Sequence, residues 1–204
     1  MISLLLKIKN KIPAMWNFIE TANGIIFYLL YYKELHNNLK GNLEKYSSQY
    51  VFRFIRKDDL EALHEFFCSQ DEEQLRYFRP HKFDLRTLQR LYYNHSYFMM
   101  GAFDKEKLMG YFVLRCFINK QCFIGRIIDR EYQGKGISKN MSLILLNSSW
   151  AADFRVFSTI SKHNVKSLAS YRSIAIPRIV KTLDHDYIYY EWLKNTEKMQ
   201  PEKK

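Results

Sequence analysis

The residue pattern of this chain predicts a mixed α/β fold, a central sheet flanked by helices, on three observations. From Tyr50 onward, strand-type and helix-type runs alternate along the sequence. Three strand-type runs then follow one another with only short turns between them. The last of the three leads through Gln133-Gly134-Lys135-Gly136-Ile137-Ser138 into a helix-type run, giving the order strand, glycine loop, helix.

Residues 1–48 form an extension with a different texture. Met1 to Leu6 is apolar, but the lysines at 7, 9 and 11 follow the apolar run instead of preceding it, which makes a poor signal peptide. Two short helices are expected, Ala14 to Thr21 and Ile25 to Leu39, with Gly41-Asn42 as a stop. The densest apolar part, Gly24 to Tyr32, is too short to span a bilayer. Packing of these helices on the domain is the simpler expectation. Lysines beside Leu, Ile, Trp and Tyr keep a weak membrane-surface or partner contact through residues 1–45 as the alternative.

The domain itself is expected over residues 49–193. Val51 to Arg56 alternates as a strand does, Asp58 caps helical periodicity running to Phe67, and Asp84 begins a second helix ending near Tyr93. Tyr97 to Phe103 is a strand, Asp104 to Lys107 a turn, and Met109 to Ile118 and Gln121 to Ile128 are strands joined by the hairpin connection Asn119-Lys120. From Lys139 to Trp150, Met141, Ile144, Leu145 and Ser148 recur at helical spacing. Val156 to Ser161 reads as a strand, a helix carries Ser167 and Tyr171 after Asn164, and Tyr187 to Trp192 is a final aromatic strand. Residues 194–204 read as a charged tail.

At 204 residues the chain is long enough for one domain with a sizeable core and too short for two ordinary ones. A content of 47% hydrophobic residues is globular, with disorder expected only in the tail. The three cysteines, Cys68, Cys116 and Cys122, are scattered, which points to reduced thiols in a cytoplasmic setting. No Cys/His cluster has zinc-ligand spacing, so no metal is expected. The net charge of +11 raises the question of nucleic acid, but the basic residues are dispersed and no nucleic-acid motif accompanies them. A solvated basic surface is expected instead, and it favours an anionic ligand. Nothing in the sequence selects an oligomeric state.

The glycine loop carries the chemistry. Such a loop exposes several backbone N–H groups at the positive end of a helix, and small residues let a phosphate approach them. A pyrophosphate is the expected ligand. Spacing excludes two familiar phosphate loops: the dinucleotide fingerprint needs a third glycine further on, and the ATP-binding loop needs Gly-Lys followed by Ser or Thr, whereas Lys135 precedes Gly136. Taken alone, Gly-x-Gly also fits an ordinary left-handed turn at a helix start.

The run Ile128-Asp129-Arg130-Glu131-Tyr132-Gln133-Gly134-Lys135-Gly136-Ile137 resembles the acetyl-CoA loop of the GNAT acetyltransferase superfamily: Arg or Gln, two residues, Gly, one residue, then Gly or Ala. Asn164, Ser167 and Tyr171 follow in the family's Asn-x-x-Ser-x-x-x-Tyr arrangement. The resemblance spans roughly residues 50 to 192. It implies a mostly antiparallel sheet that splays open after its fourth strand, acetyl-CoA as co-substrate, and N-acetylation of a primary amine. The acceptor expected first is a small molecule such as an amino sugar or sugar nucleotide, and second a protein amine. The competing class is a non-catalytic nucleic-acid- or membrane-binding module that keeps the fold.

The resemblance also assigns roles. Backbone groups of Ile128, Asp129 and Arg130 would pair with pantetheine as an added strand does. Gln133, Gly134, Lys135, Gly136, Ile137 and Ser138 would hold the pyrophosphate, and Asn164 would orient cofactor groups through its amide while capping a helix. Tyr171 stands where the family often keeps the proton donor to the departing thiolate. Arg126 shares a strand face with Ile124 and Ile128 by period-two geometry, where it would bind an anionic acceptor or an ion-pair partner at a sheet edge. Glu72, His95, Glu131 and His163 are base candidates by residue type alone. The chain departs from the pattern at Ser138, where Gly or Ala is usual, at Arg130, where proline is frequent, and at Ala175-Ile176, in place of Gly-Phe.

Overall fold

The computed structural model describes residues 13–195, so the apolar start with its lysines and most of the charged tail lie outside the described residues. Helix α1 (Pro13–Phe27) continues through a π-helical turn, Tyr28–Tyr32, into α2 (Lys33–Tyr46). The expected pair of short helices is therefore corrected to one nearly unbroken helical rod. A glycine inside a helix costs only about 1 kcal/mol, which packing overrides. Gly24 sits where a Cβ would come within 2.7 Å of Asn94 Oδ1, so it permits a close approach and does not end the helix. Gly41 is exposed and makes no close contact, while Leu35, Leu39 and Leu43 on either side of it in sequence bury one face of the helix, which stops only where Ser47 turns extended.

The sheet follows as β1 (Val51–Phe54), then α3 (Leu60–Ser69), α4 (Glu72–Arg76) and α5 (Leu85–Tyr92), then β2 (Tyr97–Asp104), β3 (Lys107–Cys116) and β4 (Gln121–Ile128). After the glycine loop come α6 (Ile137–Ala151), β5 (Arg155–Ser161), α7 (Val165–Arg172), β6 (Ala175–Thr182) and β7 (Tyr187–Lys194). Seven strands are ordered β1-β2-β3-β4-β5-β7-β6. Every neighbouring pair is antiparallel except β4 with β5. This is a mixed α/β fold with a mostly antiparallel sheet flanked by helices, as expected.

One local expectation changes, and two elements not expected are present. Asp58 is not the cap of α3: Asp59 accepts from the Arg56 amide at 2.6 Å and pairs with Arg53, closing a 3-10 turn ahead of the helix. Helix α4 is one short turn capped by Asp71, too brief to show periodicity. Strand β6 carries Pro177 and lies largely exposed at the sheet edge, the position where a strand tolerates a missing amide donor.

Side chains of the central strands alternate between two cores. Phe98, Met100, Phe112 and Leu114 pack with Phe27, Leu35, Leu39 and Leu43 of the rod and Met141, Ile144 and Leu145 of α6. Tyr97, Met99, Tyr111 and Val113 pack on the other face with Leu63, Phe67 and Leu88 of α3 and α5. Helices thus close both faces and leave the sheet's one parallel junction as the place where it opens.

Candidate active site

Strands β4 and β5 pair only at Gln121↔Arg155, Cys122↔Val156 and Phe123↔Phe157. Beyond Phe123 they part, and a cleft of about 930 Å³ opens between Ile124–Ile128 on one side and Ser158–Ile160 on the other. The Asp129 amide donates to Met109 O at 2.8 Å, toward β3. Backbone groups alternate along a strand, so those of Arg126 and Ile128 face the cleft. Of the three residues expected to pair with pantetheine, Ile128 turns its backbone to the cleft, with Arg126 beside it on the same edge. The Asp129 amide is engaged within the sheet, its carboxylate accepts from the Glu131 amide at 3.0 Å, and the Arg130 carbonyl accepts from the Gln133 amide at 3.2 Å.

At one end of the cleft the glycine loop turns into α6. Gly134 and Gly136 have φ of 80° and 78°, the left-handed region that side chains avoid, and a Cβ on either would meet nothing within 4 Å. Backbone conformation and not packing thus calls for glycine at both. The amides of Gly134, Lys135, Gly136, Ile137 and Ser138 donate to no partner among the described residues; the first helical bonds begin with Lys139 and Asn140, both to Gly136 O. Consecutive free amides at a helix N-terminus form a site for a diphosphate. Gln133, Gly134, Gly136, Ile137 and Ser138 line the cleft, and Lys135 stands outside its lining with Nζ 4.7 Å from the Tyr132 ring centroid.

On the opposite wall Asn164 caps α7, its Oδ1 accepting from the Ser167 amide at 3.1 Å, and leaves its amide nitrogen to the cleft it lines. Tyr171 also lines the cleft. Its ring is 2% exposed and stacks on Trp192 at 4.8 Å between centroids, while the Arg126 guanidinium lies 4.0 Å from its centroid. Arg126 Nε is buried without a hydrogen-bond partner. Arg130 lines the cleft as well, held by Asp71 at 3.0 Å and Glu73 at 3.1 Å.

Of the four base candidates, the structure brings only His163 to the cleft, with Nε2 3.2 Å from Asp186 Oδ2. Glu131 points to Lys107, His95 stacks against Tyr28, and Glu72 does not line the cleft. The sequence reading missed Glu73, Gln74, Tyr77 and Phe78, which come from α4 and its exit and form the wall facing β4. The Asp71 cap followed by two glutamates was the signal that could have found them. Arg130 ties α4 to the end of β4, and Tyr187 Oη donates to Arg76 O at 3.3 Å from the start of β7, so α4 bridges β4 and β7 across the opening.

A sheet that parts beside a loop of free amides is the arrangement that the resemblance to the acetyltransferase superfamily implies. The model of the acetyltransferase (GNAT) domain family matches residues 50–174, and the chain belongs to this family. None of the curated proteins compared with it matches. Among solved structures it is similar to AAC(6')-Ib in complex with paromomycin and acetyl-CoA, at TM-score 0.60 and 13% identity over 76% of this chain and 99% of that one. The ribosomal-protein-S5-alanine acetyltransferase from Vibrio fischeri gives 0.58 and 16% over 76% and 97%. Spermidine N-acetyltransferase from Vibrio cholerae, with CoA and spermine, gives 0.57 and 17% over 72% and 95%. At these identities the likeness is one of fold.

Proposed function

We propose that this protein transfers an acetyl group from acetyl-CoA to a primary amine on a small molecule, an amino sugar or sugar nucleotide first and a protein amine second, in the cytoplasm. The observation that carries the reading is the parting of β4 from β5 beside five unengaged amides. Bound acetyl-CoA supplies an activated thioester. The loop amides hold its diphosphate, and the free edge at Arg126 and Ile128 orients the pantetheine arm. Tyr171 donates a proton to the departing sulfur, and Asn164 fixes cofactor groups through its amide nitrogen. His163 is the base the geometry favours: with Nε2–H donated to Asp186, Nδ1 carries the free lone pair.

The test is release of free CoA thiol with a panel of amines. Tyr171→Phe keeps the ring on Trp192 and is expected to lower turnover about 100-fold, well beyond any loss of acetyl-CoA affinity. Turnover equal to that of the parent chain would remove Tyr171 from the mechanism.

A second reading, contact of the N-terminal rod with an anionic membrane surface, is favoured by one observation: Ile25, Ile26, Leu29 and Leu30 are 41 to 74% exposed on a helix of a basic chain. No helix among the described residues is long and apolar enough to cross a membrane. Because Leu35, Leu39 and Leu43 of the same rod belong to the core, deletion of residues 1–45 is a poor probe. Ser at positions 29 and 30 is the better one. Liposome flotation should fall with Leu29→Ser and Leu30→Ser combined, and equal flotation of both chains rules the contact out.

A further inference from the structure

Arg126 narrows the acceptor. It lies on the cleft face of β4 against the Tyr171 ring, with Nε buried and unpartnered, and it makes no ion pair with a carboxylate among the described residues. A guanidinium stays charged at every working pH, and a half-buried one without a counter-ion is unfavourable until an anion arrives. The described residues do not supply that anion. Glu73 is the single carboxylate among the described residues lining the cleft, and it is engaged with Arg130, while Lys166 adds a further cation.

The cofactor's diphosphate does not answer Arg126 either, since the free amides that suit it lie beyond the end of β4, whereas Arg126 stands beside Tyr171, where the proton is donated. On the facing wall Gln74 brings a second polar end, its Nε2 buried without a partner. A cleft with this charge repels a polycation and leaves one forked donor open for an oxyanion.

Resting on the acetyl-transfer reading, we propose that the acceptor is an amine that itself carries an oxyanion, a carboxylate or phosphate, which pairs with Arg126 next to Tyr171. Arg126 is then a specificity-determining residue of this site, and polyamines are excluded from it by charge.

The experiment uses the full chain and matched acceptors. Acetyl-CoA binding is first read by calorimetry. Then kcat/KM from CoA release is compared for glucosamine 6-phosphate against glucosamine, for 4-aminobutanoate against butylamine, and for spermidine; binding of the same compounds to the CoA complex is read by thermal shift. The anionic member of at least one pair should lead its neutral partner by about tenfold or more in kcat/KM or in affinity, with spermidine last. The phosphate and carboxylate pairs tell which oxyanion the site takes. Arg126→Gln should bring the anionic-to-neutral ratio close to 1, and Arg126→Lys should restore part of it. Acetyl-CoA binding with no anionic preference in any pair, or a preference that survives Arg126→Gln, overturns this inference alone. Absence of acetyl-CoA binding overturns the acetyl-transfer reading and this inference with it.

Discussion

Two helical segments share one core, and they are used in opposite ways. Helix α6 buries Met141, Ile144, Leu145 and Leu146 completely and leaves the amides at its amino end unengaged. The N-terminal rod buries Leu35, Leu39 and Leu43 along one stretch and leaves Leu29 and Leu30 standing in solvent along another. The resource that α6 offers is backbone; the one the rod offers is apolar side chain. That difference decides what a sequence can announce. A turn that frees consecutive amides passes through the left-handed region, so Gly134 and Gly136 mark it, whereas exposed apolar residues are written in the same letters as apolar residues of a core.

Substitutions can break this comparison. Leu39→Ala removes a fully buried side chain between the rod and the sheet and should cost about 3 kcal/mol, seen as a fall in Tm of roughly 6 to 12 °C. A small change there would mean that the rod is not part of the folding unit. The opposite face of the sheet supplies a titratable counterpart. His81 is packed among Phe67, Phe83 and Tyr111, and burial pushes its pKa down to about 4 from the usual 6.5. Its Nδ1 faces Lys82 O at 2.7 Å and its Nε2 lies 3.1 Å from Tyr111 Oη, which suits a neutral ring donating at one nitrogen and accepting at the other.

Below pH 6.5 the unfolded chain binds a proton at His81 that the folded chain refuses until about pH 4, so stability falls as pH is lowered through that window. Between pH 7 and pH 5 the loss attributable to His81 is about 2 kcal/mol. Denaturant unfolding at the two pH values should show a steeper drop for the parent chain than for His81→Gln, and equal drops would place the ring in contact with water. The smallest effect belongs to the exposed stretch of the rod: Leu29→Ala, at a side chain 74% exposed, should change stability by no more than about 0.5 kcal/mol, and a larger loss would mean that Leu29 is covered.

What was legible in the sequence was whatever local periodicity or local backbone geometry dictates. Strand β4 has the bounds expected of it, because Gln121 to Ile128 is closed by a tight turn on one side and by the loop on the other. Asn164 caps its helix because a short amide reaches the amide three residues on. What was not legible depends on contacts distant in the chain. Gln74 and Phe78 reach the cleft from some fifty residues before β4, carried by a helix of a single turn. Arg126 read equally well as an anion ligand and as half of an edge ion pair, and nothing local in the sequence places it against the Tyr171 ring, forty-five residues on in the chain. The continuity of the rod past Gly24 and Gly41 rests on packing that glycine propensity alone does not foresee.

The central claim is that the parted strands and the free amides of residues 134–138 bind acetyl-CoA. Isothermal calorimetry of the full chain, with thermal unfolding followed at increasing ligand, tests it most directly. The account predicts saturable heat with acetyl-CoA and with CoA, and a Tm that climbs with ligand concentration. No heat and an unmoved Tm at millimolar acetyl-CoA would contradict it.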